Sequence, residues 1–193
     1  SARDAGGGAG GLGEDLGNGH GRGGNGGGAL VLNVENNLTL NGIIFADGQD
    51  GDEWPHWVYT GAGGGSGGGI YIETGLLSGT GHITADGGDG AAELNASYEY
   101  QNGCPAGGGS GGRIMVYYEE TDWDADDFAR SSVEKGLKGQ SPDTCGEKAQ
   151  DGIVGTIIFI DEDDKNAFLT SGFRWQNSTG VANESEDIPG IFS

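Results

Sequence analysis

The sequence predicts an all-β fold: a glycine-rich β-solenoid, similar to a parallel β-helix, of about four units of 40–44 residues with one short inserted helix. Three observations predict it. Residues 63–72 read GGGSGGGIYI and residues 107–116 read GGGSGGRIMV, with six consecutive identities at a spacing of 44. Residues 23–32, GGNGGGALVL, lie on the same frame 40 residues earlier, so Leu30, Ile70 and Ile114 share one position. The string ADGQDG at 46–51 returns as ADGGDG at 85–90, 39 residues on. A fixed period of this length marks an architecture of stacked units, each burying a face that it cannot bury alone.

Taken in order, residues 1–22 form a glycine-rich partial repeat, with DAGGGAG at 4–10 as the tail of a preceding unit. The units follow at about 23–62, 63–106, 107–150 and 151–193, together one domain over 1–193. In each, the first strand alternates as a half-buried strand does: Leu30, Leu32 and Val34; Ile70 and Ile72; Ile114, Val116 and Tyr118; Ile157 and Phe159. The opposite face is polar at Asn33 and Glu73 but apolar at Tyr71, Met115, Ile158 and Ile160, so the later strands are expected to be covered on both sides. A second strand leads through Ile44 and Ile83 into an acidic turn. The stretch 123–138, WDADDFARSSVEKGLK, is the helix candidate, acidic at its start and basic toward its end.

Glycine before each strand has two physical uses, a positive φ at a tight corner or close approach of neighbouring backbones. Collagen is excluded because the glycines lack a strict third-residue period. A disordered linker would not end each glycine run in a β-branched or aromatic strand at the same register.

The chain has 193 residues, 44 of them glycine, and a formal charge of −21, with no Lys or Arg between Gly23 and Gly112. That charge excludes nucleic acid as a partner. No apolar run is long enough to span a bilayer, so no membrane span is expected. Sequons at Asn37, Asn95, Asn177 and Asn183, with Cys104 and Cys145, point to the secretory route and an extracellular or cell-surface glycoprotein. The two cysteines precede the glycine blocks of adjacent units, which predicts a disulfide stapling neighbouring loops.

These motifs resemble the glycine-rich repeats of large secreted microbial surface proteins, in which a GGGSGGxIxI strand is followed by a GxGxIxAxGGxG segment. The matching residues are 63–72 and 79–90, and GGRIMVYYEE at 111–120 with GTIIFI at 155–160 looks like the closing pair of such an array. The resemblance covers most of 21–160 and implies a β-helix or related solenoid with a role in extracellular structure or adhesion. It carries over no catalytic residue. The acidic DEDDK segment, the C-terminal tail and the aromatic insertions depart from the pattern.

Two site readings follow from residue chemistry. Asp47, Asp50 and Asp52 in one acidic turn, with Asp86 and Asp89 in the next, offer the hard oxygen ligands that calcium takes; the alternative is solvated turn aspartates. Trp54, Trp57 and Tyr59 offer a stacking platform for a glycan or another partner; the alternative is that they cap glycine sheets poor in side chain. His20, His56 and His82 have no nucleophile or metal spacing, and HExxH, GxSxG and paired CxxC are all missing, so no enzyme is expected. The expectation is an extracellular structural protein, a subunit of a surface layer or of a head-to-tail filament, whose chief partner is itself. The alternatives are a carbohydrate- or surface-binding adhesion module and, third, a polysaccharide-active β-helix enzyme using carboxylate pairs.

Overall fold

A computed structural model describes residues 22–52, 62–92, 105–140, 149–161 and 167–169. The described residues are predominantly β, with parallel sheets and one small helix. The strands are β1 (Ala29–Thr39), β2 (Ile43–Phe45), β3 (Gly69–Ser78), β4 (His82–Thr84), β5 (Arg113–Thr121), β6 (Thr156–Asp161) and β7 (Ala167–Leu169). One sheet has the order β1-β3-β5-β6-β7, and β2 pairs with β4 in a second. The four long strands are parallel, with Leu30, Ile70, Ile114 and Ile157 aligned, and Leu32, Ile72, Val116 and Phe159 aligned beside them. The repeat frame read from the sequence is therefore the strand register. Among the described strands only β7 runs antiparallel, on β6.

The alternation decides which face is inside. Ile70, Ile72, Ile114, Val116, Tyr118, Ile157 and Phe159 are buried, and each such aliphatic or aromatic side chain contributes roughly 1.5–3 kcal/mol when fully removed from water. Opposite them stand Ile83 and Val133, both fully buried. Trp123, Tyr118, Phe128 and Phe159 join this core, with the Phe128 and Phe159 rings edge to face at 4.7 Å. In β1 the inward Leu30, Leu32, Val34 and Leu38 are only half-buried, because no described strand lies beyond them. The outward row Tyr71, Met115, Ile158 and Ile160 is also half-buried rather than covered.

The glycine blocks form neither helix nor strand. Residues 22–28, 62–68, 105–112 and 149–155 make a front row in line with the long strands, and 46–52, 85–91 and 133–139 make a back row. Within a row neighbours run parallel: Gly24 N donates to Gly63 O and Gly27 N to Ser66 O, while Gly48 N donates to Asp86 O and Gly51 N to Asp89 O. Across rows they run antiparallel: Gly65 N donates to Gln49 O, Gly68 N to Ala46 O, Gly88 N to Gly65 O and Gly109 N to Gly88 O. Residues three apart do the same thing, which is the period of an extended helix with three residues per turn. Such a helix presents its N–H groups in several directions, so each segment bonds to several neighbours.

Glycine is required here for close approach. A Cβ on Gly88 would lie 2.0 Å from Gln49 O, and one on Gly109 would lie 1.9 Å from Gly65 O. Positive φ is needed at Gly79 (φ 99°), in the turn between β3 and β4.

Two expectations are corrected. The helix spans only α1, Ala125–Ala129, with Asp124 as N-cap and Asp127 completing a capping box. Residues 133–139 belong instead to the back row, where Val133 takes the buried place of Ala46 and Ala85, and Gly136 N donates to Gly109 O. Lattice bonds to two neighbouring segments and burial of Val133 outweigh the helical preference of an isolated VEKGLK. The acidic turns at 46–51 and 85–90 are likewise extended back-row segments rather than turns.

Candidate functional site

The aspartates of the repeated ADGxDG strings form a ladder along the back row. Asp47 accepts from Asp86 N at 2.8 Å and from the Thr84 hydroxyl at 3.0 Å, and Asp50 accepts from Asp89 N at 2.7 Å. One unit further, Asp86 accepts from Glu134 N and the Ser132 hydroxyl, and Asp89 accepts from Leu137 N. Each carboxylate thus takes a backbone N–H of the next unit, a charge-assisted bond stronger than a neutral one. Back-row N–H groups that glycine carbonyls do not reach are satisfied this way, which is why Asp recurs at both places in the motif. The ladder ends where Leu137 replaces the second aspartate. Among the described residues no group of three or more His, Cys, Asp or Glu is placed to hold a metal ion. Asp47, Asp50, Asp86 and Asp89 are committed to the fold, and Asp52 stands exposed at the end of its segment with its N–H on Arg22 O.

At the last junction Lys135 and Lys138 stand where Gly87 and Gly90 stand one unit earlier. Asp151 answers both: its carboxylate accepts from Lys135 Nζ at 2.7 Å and from Lys138 N at 3.0 Å. The Lys135 hydrogen bond, then that of Lys138 N–H, holds the Asp151 carboxyl below its ordinary pKa.

A second feature is positional. The chain leaves the back row after residues 52, 92 and 140 and re-enters the front row at 62, 105 and 149. These ends lie side by side, since Ala91 N donates to Ala62 O, Ala106 N to Ala91 O and Gly139 N to Ala106 O. The described residues that flank 53–61, 93–104 and 141–148 therefore lie next to one another; Trp54, Trp57, Tyr59, Asn95, Cys104 and Cys145 fall within those three ranges. Those residues, with Asn177 and Asn183, lie outside the described residues. Asn37 is described: it is exposed in β1, just after a bulge in which Glu35 and Asn36 oppose the single residue Gly75.

The third feature is the outer face of the long sheet. Val31, Tyr71, Met115 and Ile158 are in register across four strands, and Val31 is 54% exposed. The same row, with Ala29, Gly69 and Arg113, lines a shallow groove of about 550 Å³. Tyr71 and Tyr117 pack at 5.6 Å on the same face.

The class defined by these observations is a predominantly β protein of parallel sheets continued by a backbone-bonded glycine lattice. No family model, no curated protein and no solved structure matches this chain. Among the described residues no helix is long and apolar enough to cross a membrane. Reading the sequence for chemistry passed over Asn25, Gln49 and Asp151. Their one signal was that each breaks a glycine position of the repeat.

Proposed function

We propose that this chain is a structural component of an extracellular surface: a two-layered β-solenoid that supplies a rigid frame and assembles with further copies, without catalysis. The observation that carries the reading is the lattice itself. Its interior glycines sit within van der Waals contact of a neighbouring carbonyl, so the segments can neither slide nor swell without losing hydrogen bonds on several sides. Such a body resists deformation, and its repeated carboxylates accept from backbone N–H groups of the next unit and so add to the frame.

Lateral contact between copies fits the outer face, where Val31, Tyr71, Met115 and Ile158 present an apolar row in a chain of high negative charge. The Cys104–Cys145 staple and glycans at the four sequons belong to the same proposal, as fittings of an exported frame. Electron microscopy and sedimentation of the native, unreduced protein test it. Ordered assemblies that disperse on Met115→Glu are expected. Monomers at every concentration would overturn the assembly reading.

A further inference from the structure

We infer that four side chains, Asn25, Gln49, Asp151 and Val154, close the two edges of the described glycine lattice against a further segment stacking there. This goes beyond the structural role and stands whether or not copies associate laterally.

At the first edge, the places equivalent to Asn25 in later front-row segments are Gly65, Gly109 and Gly152. A Cβ at these would lie 2.0 Å from Asn25 O, 1.9 Å from Gly65 O and 1.8 Å from Gly109 O, in each case the preceding front-row segment. In the back row, the equivalents of Gln49 are Gly88 and Gly136, whose added Cβ would meet Gln49 O at 2.0 Å and Gly88 O at 1.9 Å. At these places glycine is kept where a described segment lies behind, whereas the first described segment of each row carries a side chain there, and the two amides bond to each other, Asn25 Nδ2 donating to Gln49 Oε1 at 2.8 Å. Gly28, the counterpart of Gly68, Gly112 and Gly155, stays glycine with nothing within 4 Å, so the closure rests on Asn25 and Gln49. Their Cβ atoms occupy the space that a preceding carbonyl would need.

At the last edge the direction reverses. Gly24, Gly64 and Gly108 each face the following back-row segment, with an added Cβ at 1.8, 1.9 and 2.1 Å from its carbonyl, and the corresponding place in 149–155 is Asp151. Gly27, Gly67 and Gly111 face the same way at 1.8, 2.1 and 2.0 Å, and their counterpart is Val154, which packs on the core.

The device is needed because the backbone at the first edge invites addition. Asn25 N and Gly28 N have no partner among the described residues, whereas their equivalents Gly65 N and Gly68 N donate to a back-row segment. Among the described residues Asp47 O and Asp50 O likewise lack the donors that Asp86 O and Asp89 O receive from Gly48 N and Gly51 N. An edge of unpaired N–H and C=O groups is a template for another chain, and steric and polar side chains are a standard way to close it.

The test opens each edge separately in the full chain, in the Met115→Glu background so that the outer face does not contribute. Asn25→Gly/Gln49→Gly and Asp151→Gly/Val154→Gly are mixed and followed by sedimentation velocity, beside the matching alanine pairs, which lose the polar groups but keep a Cβ at each place. A complex of the glycine variants at least tenfold tighter than that of the alanine variants or of the parent is expected. Equal association of glycine and alanine pairs would overturn the proposal, as would glycine variants that stay monomeric while keeping slow amide exchange at Gly88 and Gly109. Should Val154→Gly cost the fold, Asp151→Gly alone serves as the second partner, with the same outcomes deciding.

Discussion

The front layer of this protein contains two regions joined end to end by the same chain, and they are held together by opposite means. In β3, β5 and β6 the strands pair in one sheet and turn side chains inward, and Ile72, Val116 and Phe159 are fully buried there. In 62–68, 105–112 and 149–155 the interior has almost no side chain, and carbonyl oxygens occupy the space where Cβ atoms would be. The strand region draws on apolar burial, which is non-directional and tolerates conservative exchange of shape. The glycine region draws on hydrogen bonds to several neighbours, each worth only about 0.5–1.5 kcal/mol net but all dependent on a fixed spacing. The difference teaches that a low apolar content does not preclude an ordered interior, provided that the residues without side chains fall on a lattice.

That comparison can be broken first in the strand region. Phe159→Ala leaves a cavity beneath Trp123 and Phe128 and should cost about 3–5 kcal/mol, read from denaturant melts. A loss below about 1 kcal/mol would mean that the aromatic cluster does not anchor the core. Gly88→Ala adds a single methyl group against Gln49 O and should cost about 3 kcal/mol by overpacking. Its control is Gly28→Ala at the lattice edge, where the new Cβ meets nothing within 4 Å and the change should lie within about 1 kcal/mol of the parent, on the stabilising side. Equal effects at Gly88 and Gly28 would break the distinction between lattice interior and edge.

The smallest effect sharpens the strand side. Burial, and after it the charge of Asp161, pushes the Tyr118 phenol up to about 12 from 10.0. The folded state therefore holds a proton that the unfolded chain releases near pH 10. Stability is fully present below pH 10 and declines as pH rises toward 12. Thermal melts across that window should show the decline, and Tyr118→Phe should reduce it. An unchanged slope would place the alkaline sensitivity elsewhere.

Much of this was legible in the residues. The spacing between GGGSGG blocks equals the strand register, because identical segments at a fixed period can all bury the same face only by pairing in parallel. The alternation of Ile70 and Ile72, and of Ile114 and Val116, named the inward face correctly. The aspartates were legible as a repeat but not in their role. What the local sequence does not show is that each carboxylate accepts from an N–H of the next unit, a partner that only the neighbouring segment supplies.

By itself the sequence determined the β class, the repeat frame and the core-facing set, since these follow from local periodicity and composition. Tertiary structure decided the rest. It turned 133–139 from an apparent helix into a lattice segment and made the acidic strings straight. It also gave meaning to Asn25, Gln49, Asp151 and Val154, which look like mere imperfections of a glycine repeat. The physical reason is that glycine's use here is to leave room, and whether room is needed depends on what lies beside it in space.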